Sequence, residues 1–132
     1  LMKYKNQLGT IDTQDALIGN RAYDLASLID DVRLRSKKKL KKNIYDYYLK
    51  SNKKNINEKY FLNDFQILSV LRNMKIIGIF IRLAKRDKKK NYLKLIPYAW
   101  KLIEFRMQDN KKFSELKSIF DDNFSKKMRN YK

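Results

Sequence analysis

Residues 58–85, EKYFLNDFQILSVLRNMKIIGIFIRLAK, decide the fold. Ile67, Leu71, Met74, Ile77, Ile81 and Ala84 recur at spacings of three and four, which lines them along one face of an α-helix. Ile76, Ile79 and Phe80 add apolar surface on other sides, so the segment reads as a central helix surrounded by others. Asn57 is suited to cap its N-terminus. Gly78 in a helix interior costs about 1 kcal/mol against alanine, so a close helix crossing is expected there.

Toward the N-terminus, residues 52–57 form a polar linker. Residues 37 to about 51 form a helix whose stripe is Leu40, Ile44, Tyr47 and Tyr48, with Lys37, Lys38, Lys39, Lys41 and Lys42 on a solvated face. Residues 33–36 break the chain. Asn20 caps a helix running to about Asp31, with Ala22, Leu25, Ala26, Leu28 and Ile29 inward. Before it, residues 1–4 and 7–11 read as two short strands around a Lys5-Asn6 turn. An isolated hairpin is marginal in water, so it must lean on the following helices or on a part of the protein outside this chain.

Toward the C-terminus, residues 87–91 make a charged turn and 92–95 a further helical turn. Pro97, at home in the first turn of a helix, opens a stretch through Trp100, Ile103 and Met107. Phe113, Leu116, Ile119 and Phe120 mark a last short amphipathic helix, and residues 125–132 are expected to fray. The fold class is mainly α, a short N-terminal β-hairpin followed by a helical bundle.

The chain has 132 residues, room for one modest core. It contains no cysteine and no histidine, so there is no thiolate or imidazole metal site and no Ser/His or Cys/His nucleophile pair. No apolar run reaches the length of a bilayer span, and no charged-apolar-small secretory pattern opens the sequence. It begins at Leu1, and the start of the gene product is expected upstream. The formal charge of +18 ordinarily points to nucleic acid or an anionic surface. Here the cations are mostly lysine beside abundant Asn and Ile, a mix that compositional drift also produces, and Arg33 with Arg35 is the one close arginine pair.

Chemistry concentrates in residues 11–28, IDTQDALIGNRAYDLASL. A strand end delivers Asp12 to a turn, a loop carries Gln14 and Asp15, and Gly19-Asn20 leads into a helix containing Tyr23, Asp24 and Leu25. A carboxylate fixed at a strand end suits phosphoryl transfer, where Mg²⁺ must be held against nucleotide phosphates. The plain alternative is an aspartate that starts a turn, and for Asp24 an exposed carboxylate favoured by the helix dipole.

This stretch resembles the segment following the catalytic loop in the aminoglycoside phosphotransferase and choline kinase-like family, distantly related to protein kinases. There the pattern is an aliphatic residue, Asp, an aromatic, Gln, Asp, Ala, then Gly-Pro and Tyr-Asp-Leu. Thr13 stands for the aromatic and Asn20 for the proline. Residues 71–105, LRNMKIIGIFIRLAKRDKKKNYLKLIPYAWKLIEF, look like the helical lobe of the subgroup phosphorylating N-acetylmuramate and N-acetylglucosamine at the anomeric hydroxyl.

The resemblance implies part of the C-terminal lobe of a protein-kinase-like fold, with 1–20 as hairpin and metal loop and 21–132 as helical subdomain. It gives Asp12 the place of the Mg²⁺ ligand on the nucleotide side. It gives Asp24 that of a buried structural aspartate accepting hydrogen bonds from the catalytic loop, and it sets Gln14 and Asp15 toward the sugar. ATP and Mg²⁺ are the implied cofactors, and a sugar or amino sugar is the implied substrate, in a cytoplasmic enzyme without membrane or nucleic-acid partners. The family's His-Gly/Arg-Asp-x-x-x-x-Asn loop, with the catalytic base and a second Mg²⁺ ligand, and its nucleotide lobe would precede Leu1. No catalytic residue therefore falls in these 132 residues, and a C-terminal fragment inactive alone is expected. The competing class is a basic helical nucleic-acid-binding module, which salt-dependent retention on DNA or RNA would reveal.

Overall fold

The computed structural model describes residues 2–9, 18–108 and 110–130, with the side chains of residues 2–4 left aside. Strands β1 (Met2–Tyr4) and β2 (Gln7–Gly9) pair antiparallel, with Lys3 opposite Leu8. Lys5 turns the hairpin with a φ of 52°. The side chains of β2 are exposed, Leu8 at 73%, so this strand is not buried against the helices, one of the two supports expected for the hairpin.

Among the described residues six helices follow: α1 (Ala22–Ile29), α2 (Lys38–Ser51), α3 (Glu58–Arg86), α4 (Ile96–Met107), α5 (Ser114–Asn123) and α6 (Lys126–Arg129). The sequence places the starts of α1 and α3 well because capping is local. Asn20 Oδ1 accepts from the Ala22 N–H at 2.9 Å, and Asn57 Oδ1 from the Tyr60 N–H at 3.3 Å. A 3₁₀ segment, Lys90–Leu95, reverses the chain, and Pro97 opens α4. None of the described helices is long and apolar enough to cross a membrane.

The central helix is α3, whose most extensive pairings are with α4 and α1. Its buried face is Phe61, Phe65, Ser69, Val70, Asn73, Phe80 and Ala84. The expected stripe is thus partly wrong, since Leu71 and Ile81 are exposed. Ser69 and Asn73 occupy inward positions, and two polar residues on the buried face hide its periodicity from a hydrophobic pattern. Gly78 is exposed, and a Cβ built there meets nothing within 4 Å, so the expected close crossing is absent.

On α2 the inward side is Lys41, Ile44, Tyr45, Tyr48 and Leu49, whereas Leu40 and Tyr47 point out. On α1, Leu28 is exposed. Within the segment expected to fray, residues 126–129 form a helical turn. Ser125 caps α6, and Arg129 pairs with Glu104 at 3.0 Å and Asp121 at 2.7 Å while lying over the Trp100 ring.

The apolar interior forms two clusters. One joins α1, α2 and the first part of α3 through Ala22, Leu25, Ala26, Ile29, Phe61 and Phe65. The other joins the rest of α3 to α4 and α5 around Val70, Phe80, Trp100, Ile103 and Phe120. Cluster membership divides within α3 between Phe65 and Val70.

Candidate functional site

Asp12, Gln14 and Asp15 lie outside the described residues, so the loop is defined here by what flanks it: the hairpin before and residues 18–21 after. Asn20 fastens the exit. Its carbonyl caps α1, and its Nδ2 donates to Asp64 Oδ2 on α3 at 2.7 Å. One amide therefore ties the loop to both helices. Beside it opens a shallow groove of about 310 Å³, bordered by Gly19, Arg21, Asn55, Asn57 and Tyr60.

Tyr23 Oη accepts from Lys75 Nζ at 3.0 Å, holding the other side of α1 to α3. Asp24, by contrast, is exposed and has no hydrogen-bond partner among the described residues. The catalytic loop that the resemblance gives it as a partner is not among these 132 residues. Its position in the first turn of α1 is where the helix dipole favours a carboxylate.

The buried aspartate is Asp30, one residue beyond α1, with no exposed surface. Arg106 of α4 donates to both its oxygens, Nε to Oδ2 at 2.7 Å and Nη2 to Oδ1 at 3.1 Å. Lys41 of α2 donates to Oδ1 at 2.9 Å and to the Ile29 carbonyl at 2.6 Å, and Ser69 Oγ of α3 donates to Oδ2 at 2.6 Å. Burial pushes the Asp30 carboxyl up, but the Arg106 hydrogen bonds and charge, with Ser69 and Lys41, outweigh it and hold the group below the usual carboxylate value. The Arg106 guanidinium also lies over the rings of Phe65 and Phe105, 4.7 and 4.9 Å from their centroids.

Asp30 thus joins four helices and bridges the two apolar clusters. It fixes the far end of α1, whose near end carries the loop. Sequence reading passed over it: its partners lie 11, 39 and 76 residues away, with no local pattern to betray them. A polar residue ending an apolar helix, with a lysine inside an otherwise inward turn of α2, was the available signal. Among the described residues no three His, Cys, Asp or Glu gather to hold a metal.

The described residues define a basic, mainly helical scaffold preceded in the chain by a β-hairpin. Comparison with known proteins narrows this. No family model matches the sequence. Three proteins named N-acetylmuramate/N-acetylglucosamine kinase are similar to it. That of Caulobacter vibrioides is 32% identical over 115 residues, covering 87% of this chain and 31% of that protein. The Neisseria meningitidis serogroup B protein is 29% identical over 125 residues, covering 91% and 36%. The Pseudomonas aeruginosa protein is 29% identical over 121 residues, covering 88% and 36%. The chain spans about a third of the length of the curated relatives it matches.

Proposed function

We propose that the chain is the C-terminal part of an ATP-dependent small-molecule kinase that transfers phosphate to a hydroxyl of a sugar or amino sugar, N-acetylmuramate or N-acetylglucosamine foremost. The observation that carries the reading is a hairpin followed, after the sequence segment that holds Asp12, by an Asn20-capped helix braced on α3, in a chain similar over most of its length to three proteins named N-acetylmuramate/N-acetylglucosamine kinase. Asp12 would hold Mg²⁺, since one or two carboxylates completed by phosphate oxygens and water are that ion's ordinary protein ligands. The ion would neutralise charge on the transferring phosphate. Gln14 and Asp15 would face the sugar, and Asp24 would accept hydrogen bonds from the catalytic loop of the whole protein.

With the base and nucleotide lobe supplied from elsewhere in the protein, the 132-residue chain alone should not turn over. The test is a chimera, the Caulobacter vibrioides kinase with its matching segment exchanged for this chain. It should phosphorylate N-acetylglucosamine with ATP and Mg²⁺, and Asp12→Asn should lower kcat by about 100-fold or more, as loss of transition-state charge stabilisation does. An Asp12→Asn chimera as active as its parent would overturn the assignment of Asp12, and robust turnover by the isolated chain would overturn the fragment reading.

A further inference from the structure

A second groove, of about 290 Å³, runs between α2, α3 and α4. Its cations are Lys38, Lys41, Lys42 and Arg106, and no acidic residue lines it. Lys42 is paired with Asp46 outside the groove. Lys41 and Arg106 share the single carboxylate of Asp30, so these three groups leave one positive charge in excess beneath the surface, their side chains only 7%, 14% and 0% exposed. Excess buried charge is costly unless paired. Lys38 has no acidic partner among the described residues, and its Nζ sits 5.1 Å from the Phe105 ring centroid. Arg106 spends Nε and Nη2 on Asp30, which leaves Nη1 without a hydrogen bond.

The rest of the lining is apolar. Phe65 and Phe105 line it with the Arg106 guanidinium over both rings, Phe105 keeps 37% of its surface exposed, and Leu62 is exposed beside them. Tyr45 also borders the groove, and its hydroxyl is buried without a partner, an arrangement that costs about 1–3 kcal/mol. Burial and the nearby Glu58 push this phenol up to about 12, so it remains a donor at neutral pH.

We propose that this groove binds a small organic phosphate monoester, its dianionic head taken by Lys38, Lys41 and Arg106 and its body packed on Leu62 and the exposed part of Phe105. Lys38 and the one positive charge in excess around Asp30 together make two, which matches a phosphate dianion better than a singly charged carboxylate. The volume is at the small end of ligand pockets, about 300 Å³ and upward, which limits the body to about one ring. The site uses none of residues 10–17 and is independent of the kinase reading.

Phenyl phosphate, inorganic phosphate and phenol, titrated separately into the chain at about 0.15 M ionic strength and followed by amide chemical shifts, test it. Phenyl phosphate should bind saturably at one site, moving the amides of Tyr45 and Phe105, and more tightly than either of the other two. Lys38→Gln should weaken it about fivefold or more, and Leu62→Glu, an acid set at the exposed rim, should abolish it. Lys39→Gln, at a neighbouring exposed lysine of α2 that does not line the groove, should leave affinity unchanged. Equal weakening in the Lys38 and Lys39 variants would reduce the effect to net charge and overturn the proposal, as would absence of saturation or inorganic phosphate binding as tightly as phenyl phosphate.

Discussion

Asp30 is a carboxylate that two cations and a hydroxyl keep ionised in a place where water does not reach. Its folded-state value lies below the unfolded one of about 3.9. The stability it contributes is therefore fully present above that unfolded value and is lost as pH falls through the lower, folded one. Unfolding free energy should be insensitive to this group at neutral pH and decline below about pH 4. Asp30→Asn leaves Arg106 and Lys41 without their countercharge and should cost about 3–5 kcal/mol in urea denaturation at pH 7. A loss under about 1 kcal/mol would mean that the network contributes little. Asp24 is the contrasting case: exposed and unpartnered among the described residues, its replacement by alanine should cost this chain no more than about 1 kcal/mol. Both aspartates stand within seven positions of each other, yet the sequence singles out Asp24, because motif resemblance is local and the partners of Asp30 are not.

At the scale of elements, boundaries were legible and faces were not. Asn20, Asn57 and Pro97 act within a turn of their own position, and the structure uses each as anticipated. The face of α3 depends on what Ser69 and Asn73 meet, and that contact comes from helices distant in the chain. Tyr45 and Leu49 were missed on α2 for a related reason: Lys41, a buried cation, shares their side, and a charge was read as marking solvent. The loop of Asp12 is the part of the candidate site that sequence alone supplies. Two substitutions separate local from tertiary effects. Asn57→Ala should destabilise by about 1 kcal/mol through the lost cap. Gly78→Ala, with open space around the new methyl group, should stabilise by about 0.5–1 kcal/mol. Thermal midpoints moving in opposite directions would bear both out, and a destabilised Gly78→Ala protein would contradict the open environment described for that helix.

For the whole molecule, two modest apolar clusters share one long helix and one buried ionic junction, so neither half encloses all its own polar groups. Native protein should accordingly unfold in a single transition, whereas Asp30→Asn should separate the far-ultraviolet and near-ultraviolet circular dichroism transitions if the halves uncouple. The exterior carries most of a +18 charge, and cooperativity should survive high salt because the junction is buried away from screening ions. The chain's single tryptophan gives this architecture an optical read-out. Trp100 is 6% exposed, wedged edge-on against Phe120 and covered by the Arg129 guanidinium of the last helix. Its emission should be blue-shifted and slow to quench with acrylamide, and should redden when α6 alone lifts away, reporting detachment of the tail before any helix behind it melts.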